Sequence, residues 1–158
     1  MTLPRSFALT ALGATFILSY GCATDDAQAR SRETMLAEIK AESPRTGYIA
    51  RRYYKTDYKF WGWVRKPGEP WSSAVLVVFN ENKKFAPDRE LGTIGSDNNY
   101  EYLIQGEFSG DKVYEPASNA FYPEFILKSY ELKSVSPGNI YRIPGATDPN
   151  RRVIARPY

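Results

Sequence analysis

Six consecutive apolar residues, Ala74-Val75-Leu76-Val77-Val78-Phe79, constrain this chain more than any other stretch. The run is short and rich in β-branched side chains, so it reads as a strand. A strand that is apolar on both faces needs cover on both. Its surroundings carry β signals as well. Alternation over Tyr58–Val64 puts Tyr58, Phe60, Gly62 and Val64 on one face, and Lys59, Trp61, Trp63 and Arg65 on the other. Leu91–Gly95 reads as a short strand between glycines. Tyr100–Phe108 alternates, and Phe121–Val135 reads as a long final strand bent near Pro123. Pro67–Pro70, Ser96–Asn99 and Ser109–Asp111 supply turns. Only Arg32–Glu42 has helical spacing, with Met35, Leu36 and Ile39 as its apolar stripe and Pro44 as its stop. The 12 tyrosines fit a β-rich chain with amphipathic surfaces.

The first residues have another character. Arg5 is the one charge before an apolar run, Phe7–Leu18, and Ser19-Tyr20-Gly21-Cys22 follows. The run is short for a membrane span and gives way at once to Asp25-Asp26, which favours a cleaved export signal. Leu18-Ser19-Tyr20-Gly21-Cys22 resembles the lipobox of bacterial lipoproteins. That resemblance implies a chain cut before Cys22, acylated on the Cys22 thiol, and anchored in the cell envelope facing the periplasm or exterior. The alternative is a cut after Ala29, in Ala27-Gln28-Ala29, which releases a soluble secreted protein. The domain reading is then an export signal over residues 1–21 and a tether over 22–31. A helix plus β-barrel domain covers 32–143, and an extended tail covers 144–158.

Phe60-Trp61-Gly62-Trp63-Val64, Ala74–Val78, Leu91–Gly95 and Gly106-Glu107-Phe108-Ser109-Gly110 together resemble an OB-fold over about residues 57–134. The resemblance implies a mainly β protein, a small closed or partly open OB-like barrel preceded by one short helix. Gly62 and Gly106 would stand where strands coil to close it. With Leu91–Gly95 as a strand, residues 96–99 leave room only for a turn where that fold usually has a helix. An Ig-like or SH3-like β domain is the alternative.

The chain has no histidine, and Cys22 is its only cysteine. The usual triads, Cys–His dyads and histidine zinc sites are therefore excluded, and no cofactor or metal is implied. Asp97, Asn98, Asn99 and Glu101 lack the spacing of a calcium loop and read as an Asx-turn. Arg51-Arg52-Tyr53-Tyr54-Lys55 interleaves charge with rings. It reads as a solvated strand face, or as a surface for anionic headgroups, acidic glycans or single-stranded nucleic acid. The net charge of only +3 does not call for a polyanion. The candidate ligand-binding residues are Lys59, Trp61, Trp63, Arg65, Lys66 and Trp71, where indoles, cations and a Pro-Gly loop coincide. The competing reading buries the indoles under the helix.

These features point to a non-catalytic envelope lipoprotein that binds a cell-envelope protein or glycan, held to the membrane by its N-terminal lipid. The alternatives are a small envelope hydrolase using Glu101, Glu107, Asp111, Glu115 or Glu124, and an OB-type single-stranded nucleic-acid binder. Nucleic acid is a poor match for an exported chain.

Overall fold

The protein is described by a computed structural model that covers residues 22–42 and 46–158. The segment read as an export signal, residues 1–21, lies outside the described residues. Cys22 is the first residue of helix α1 (Cys22–Ala41). Five strands follow: β1 (Tyr48–Arg52), β2 (Gly62–Arg65), β3 (Val75–Asn80), β4 (Glu101–Glu115) and β5 (Ala120–Ser134). A one-turn helix, α2 (Pro87–Glu90), sits between β3 and β4. The strands close into a barrel in the order β1-β2-β3-β5-β4, with β4 returning to β1. All neighbours run antiparallel except β3 and β5, which are parallel. This is a closed OB-type barrel preceded by a helix, and its closure leaves no room for a sandwich.

The barrel is lined by alternate residues of each strand. Ala50, Val64, Val77, Phe79, Tyr102, Ile104, Phe125 and Leu127 form one apolar cluster, joined by Trp61 and Ala86. The opposite faces of β1, β2 and β3 build a second cluster. There Ile49, Trp63 and Leu76 meet Met35 and Ile39 of α1 and Ile140, Tyr141, Ala146 and Ala155 of the C-terminal segment. The cover that the apolar run of β3 demanded thus comes from the two ends of the described chain. Leu76 and Val77 are buried, but Val78 is only half-buried and Val75 is exposed, because β3 leaves the covered region there.

Gly62 and Gly106 are where chains press together. A Cβ on Gly62 would lie 2.3 Å from the carbonyl oxygen of Arg51, and one on Gly106 would lie 2.2 Å from that of Ile126. The β4–β5 register also shifts between Gln105 and Gly106, as coiling at a glycine requires.

Several expectations change. The tether over 22–31 and the helix over 32–42 are one helix, because Ala27, Gln28, Ala29 and Arg30 are good helix formers and no glycine or proline interrupts them. Met35 and Ile39 are buried, whereas Leu36 is exposed, one residue off that face. Tyr58–Val64 is not one strand: only its end belongs to β2, and the alternation restarts at Gly62. The first strand is instead Tyr48–Arg52. Leu91–Gly95 is a string of turns with Leu91 and Ile94 exposed and with Gly92 and Gly95 at positive φ. The β3–β4 connection therefore does contain a helix. Ser109–Asp111 is a bulge within a continuous β4, where Gly110 adopts φ 92°. The stretch 144–158 is not an extended tail: it opens with hydrogen-bonded turns around Gly145 and Asp148 and belongs to the domain, with Ala146, Ala155 and Pro157 buried and Tyr141 bridging to Pro157.

Candidate functional site

The loop from β1 to β2, residues 53–61, is rich in rings and charge, and it cannot all face water. Tyr53 and Lys55 are buried by the C-terminal segment. The Tyr53 hydroxyl donates to the Val153 carbonyl and accepts from the Ala155 N–H. The Lys55 ammonium donates to the carbonyls of Ala146 and Asp148 at 2.6 and 2.7 Å, and its desolvation lowers its pKa. Arg51 and Arg52 are buried too. The cluster Arg51–Lys55 is therefore no solvated face: of its five residues only Tyr54 is partly open. An arginine taken out of water needs carboxylates and hydrogen bonds around it, and these two find theirs on opposite sides of β1.

Arg52 points toward α2. Its guanidinium pairs with Asp88 at 2.9 Å and Asp97 at 3.2 Å and donates to the Trp61 carbonyl. The Gly95 N–H completes one Asp88 oxygen, and the Tyr102 hydroxyl completes Asp97. Burial raises the Asp97 pKa, and the neighbouring Asp88 adds to this, although Arg52 pulls the other way. Beside the network opens a cleft of about 610 Å³. It is walled by Tyr54, Tyr58, Phe60 and Trp61 from the loop, by Phe79 from β3, by Arg89 of α2 and by Ile94 beyond it, with the exposed Lys59 also lining it. Trp61 lies face to face with Phe79, ring centroids 4.3 Å apart. The Arg52 guanidinium stacks over both Tyr54 and Trp61, at 5.2 and 5.4 Å. The Tyr58 hydroxyl donates to the Arg152 carbonyl. The tip of the β4–β5 hairpin steadies this loop: the buried Glu115 carboxylate accepts N–H groups from Ala117, Ser118 and Lys59. The cleft thus has aromatic walls on a braced loop. Its charge is nearly neutral, since Arg89 pairs with Glu81 at 3.3 Å.

On the other side of β1, Arg51 pairs with Glu101 at 2.6 Å. Arg65 holds the Glu42 carboxylate through two bonds of 2.7 Å each, and the Gly68 N–H adds a third. Burial alone would raise the Glu42 pKa, but Arg65, Gly68 and Lys133 more than offset it and hold the carboxyl below its usual range. Trp71 is clamped between the guanidiniums of Arg51 and Arg65, at 5.1 and 4.5 Å. This assembly covers the face over β2 and β3 that OB barrels commonly present to oligonucleotides and oligosaccharides.

The six candidate residues therefore separate. Lys59 and Trp61 reach the large cleft, Lys59 exposed and Trp61 in its wall. Trp63 is buried in the outer apolar cluster. Arg65 and Trp71 belong to the contact beneath α1, and Lys66 is exposed beside it. Trp61 and Trp63 do not form an exposed pair, because the alternation that would align them breaks at Gly62. Of the aromatic wall, Tyr54 stands out in the sequence only within the basic cluster Arg51–Lys55 and Tyr58 only as a strand residue, while nothing there singles out the buried partners Asp88 and Asp97 as site residues. Asp97 and Asn98 carried only a turn signal, although Asn98 does accept the Tyr54 N–H.

The carboxylates available for hydrolysis are mostly occupied. Glu101 faces Arg51 and Lys133, Glu107 faces Lys128, Glu115 accepts backbone N–H groups, and Glu124 accepts from Asn80. Among the described residues no group of three or more His, Cys, Asp or Glu is placed to hold a metal. No family model, no curated protein and no solved structure matches the chain.

Proposed function

We propose that this protein is a non-catalytic binding module of the bacterial cell envelope, anchored through Cys22, and that its large cleft takes a segment of envelope glycan. The observation that carries this reading is the cleft itself. Tyrosine and tryptophan walls with scattered polar groups suit sugar rings, which offer apolar faces and hydroxyls together. A polyanion is less well served, because Arg89 and Arg152 already pair with Glu81 and Asp57.

The continuity of α1 supports cleavage before Cys22. A cut after Ala29 would divide that helix. None of the described helices is long and apolar enough to cross a membrane, so attachment would rest on the acyl chains, each buried CH2 contributing about 0.8 kcal/mol. Cys22→Ala should leave a larger, unprocessed form in total extracts, and a mature N-terminus at Arg30 would overturn the anchor.

For the cleft, Tyr58→Leu keeps apolar bulk and removes the ring and hydroxyl. Titration with soluble peptidoglycan oligosaccharides should show at least a tenfold loss of affinity, equivalent to about 1.4 kcal/mol, while the fold still melts cooperatively, at a slightly lower temperature because the bond to the Arg152 carbonyl is lost. Undiminished binding by this variant would remove the cleft as the site.

A further inference from the structure

At the junction between α1 and the C-terminal segment, two guanidiniums stand without an ion-pair partner among the described residues. Two adjoining hollows of about 310 and 280 Å³ share Gln28, Asn139, Tyr141 and Arg142. The guanidiniums of Arg32 and Arg142 both stack on the Tyr158 ring, 4.9 and 5.8 Å from its centroid. Among the described residues neither has a carboxylate within ion-pair distance, whereas Arg51, Arg52, Arg65, Arg89 and Arg152 all do. The remaining walls are neutral and polar, with Gln28, Ser31 and Asn139 prominent. Tyr141 lines both hollows but belongs to the core behind them. Tyr141 is 3% exposed, and its hydroxyl is buried with no hydrogen-bond partner.

We propose that this groove is an oxyanion site that takes a phosphate group, with Arg32 and Arg142 as its charged donors. A guanidinium offers a rigid fork of N–H groups that matches phosphate oxygens two at a time. Two forks suit the several oxygens of a phosphate better than the single pair of a carboxylate. Both guanidiniums and the Tyr158 ring line the same hollow, and the polar walls leave room for the group that carries the phosphate.

That phosphate could belong to a lipid headgroup or to a soluble phosphate ester. Gln28 and Arg32 follow Cys22 on the same helix, and at about 1.5 Å rise per residue they stand about 9 and 15 Å from it along the axis. The headgroup source rests on the anchor proposed above, and the soluble source does not.

The test has two arms. Calorimetric titration of the detergent-solubilised full chain with glycerol 3-phosphate should show saturable binding, weakened at least tenfold in Arg142→Gln and likewise in Arg32→Gln. Lys128→Gln, which lines neither hollow and is paired with Glu107, should bind as wild type does. In the second arm the full chain carrying Cys22→Ser is floated with vesicles. Retention on phosphatidylglycerol vesicles but not on phosphatidylcholine vesicles, lost in Arg142→Gln, assigns the site to lipid headgroups. Glycerol phosphate binding without vesicle retention assigns it to a soluble ester. Binding in neither arm overturns the site, as does an equal loss in Lys128→Gln, which would mark unspecific charge attraction. Because Arg142 is exposed and makes no ion pair, its variant tests binding and not folding.

Discussion

The inside of the barrel and the layer wrapped around it are both apolar and both buried, yet they are built on different terms. The inner cluster is made by alternate residues of strands that pair with one another, plus Trp61 and Ala86. The outer cluster gathers Met35 and Ile39 from one end of the described chain and Ile140, Tyr141 and Ala155 from the other. Strand pairing dictates the first layer. The second forms only if two distant segments come back across the sheet, against the entropy of ordering them. Its polar contacts serve that return. Lys55, Tyr53 and Tyr58 bind carbonyls of residues 146–153, and Arg65 holds Glu42 at the end of α1.

The strongest challenge to this comparison is to remove one wrap. Ending the chain at Gly138 would uncover Tyr53, Phe60 and Trp63 and strip the Lys55 ammonium of both carbonyls. We expect no cooperative thermal transition from that chain. A sharp transition near the wild-type temperature would show that the barrel stands without its outer layer.

Next in size is Arg52→Ala. It leaves Asp88 and Asp97 buried without their cation, and breaking a buried pair costs about 3–5 kcal/mol, read from urea unfolding. Raising the Asp97 carboxyl toward protonation softens that cost, so the deficit should shrink as the pH falls. A deficit that grows on acidification would mean that Asp97 is not desolvated as described.

The smallest effect is expected at the clasp under α1. Glu42→Gln removes charge from bonds to Arg65 and should cost about 1–3 kcal/mol at neutral pH. Because folding lowers the Glu42 pKa, its contribution is whole above the ordinary carboxyl value of 4.5 and is lost as the pH falls through the lowered value. The gap between wild type and Glu42→Gln should therefore close on acidification. In native-state hydrogen exchange the variant should loosen α1 before it loosens β4 or β5. Equal loosening of all three would erase the distinction between the layers.

The sequence by itself determined the β class, the one substantial helix, the coiling glycines and the two-sided burial of β3. Each rests on local chemistry: alternation, β-branching, proline stops, and the close backbone approach that only glycine allows. It also narrowed the chemistry, since a chain without histidine and with one cysteine has few nucleophiles to offer. It could not say which face each indole takes. Trp61 and Trp63 are two residues apart and would share a face in a regular strand, but the alternation restarts at Gly62, and that depends on how Arg51 packs against the glycine. Nor could it place Arg51 and Arg52. Adjacent cations read as a wet surface until Asp88, Asp97 and Glu101 arrive from other parts of the chain to let them be buried. The cleft was hidden for the same reason. Tyr54, Tyr58 and Trp61 become its wall only when β3 and the turns beyond α2 close around their loop, because contacts between residues far apart in sequence leave no periodic mark on either partner.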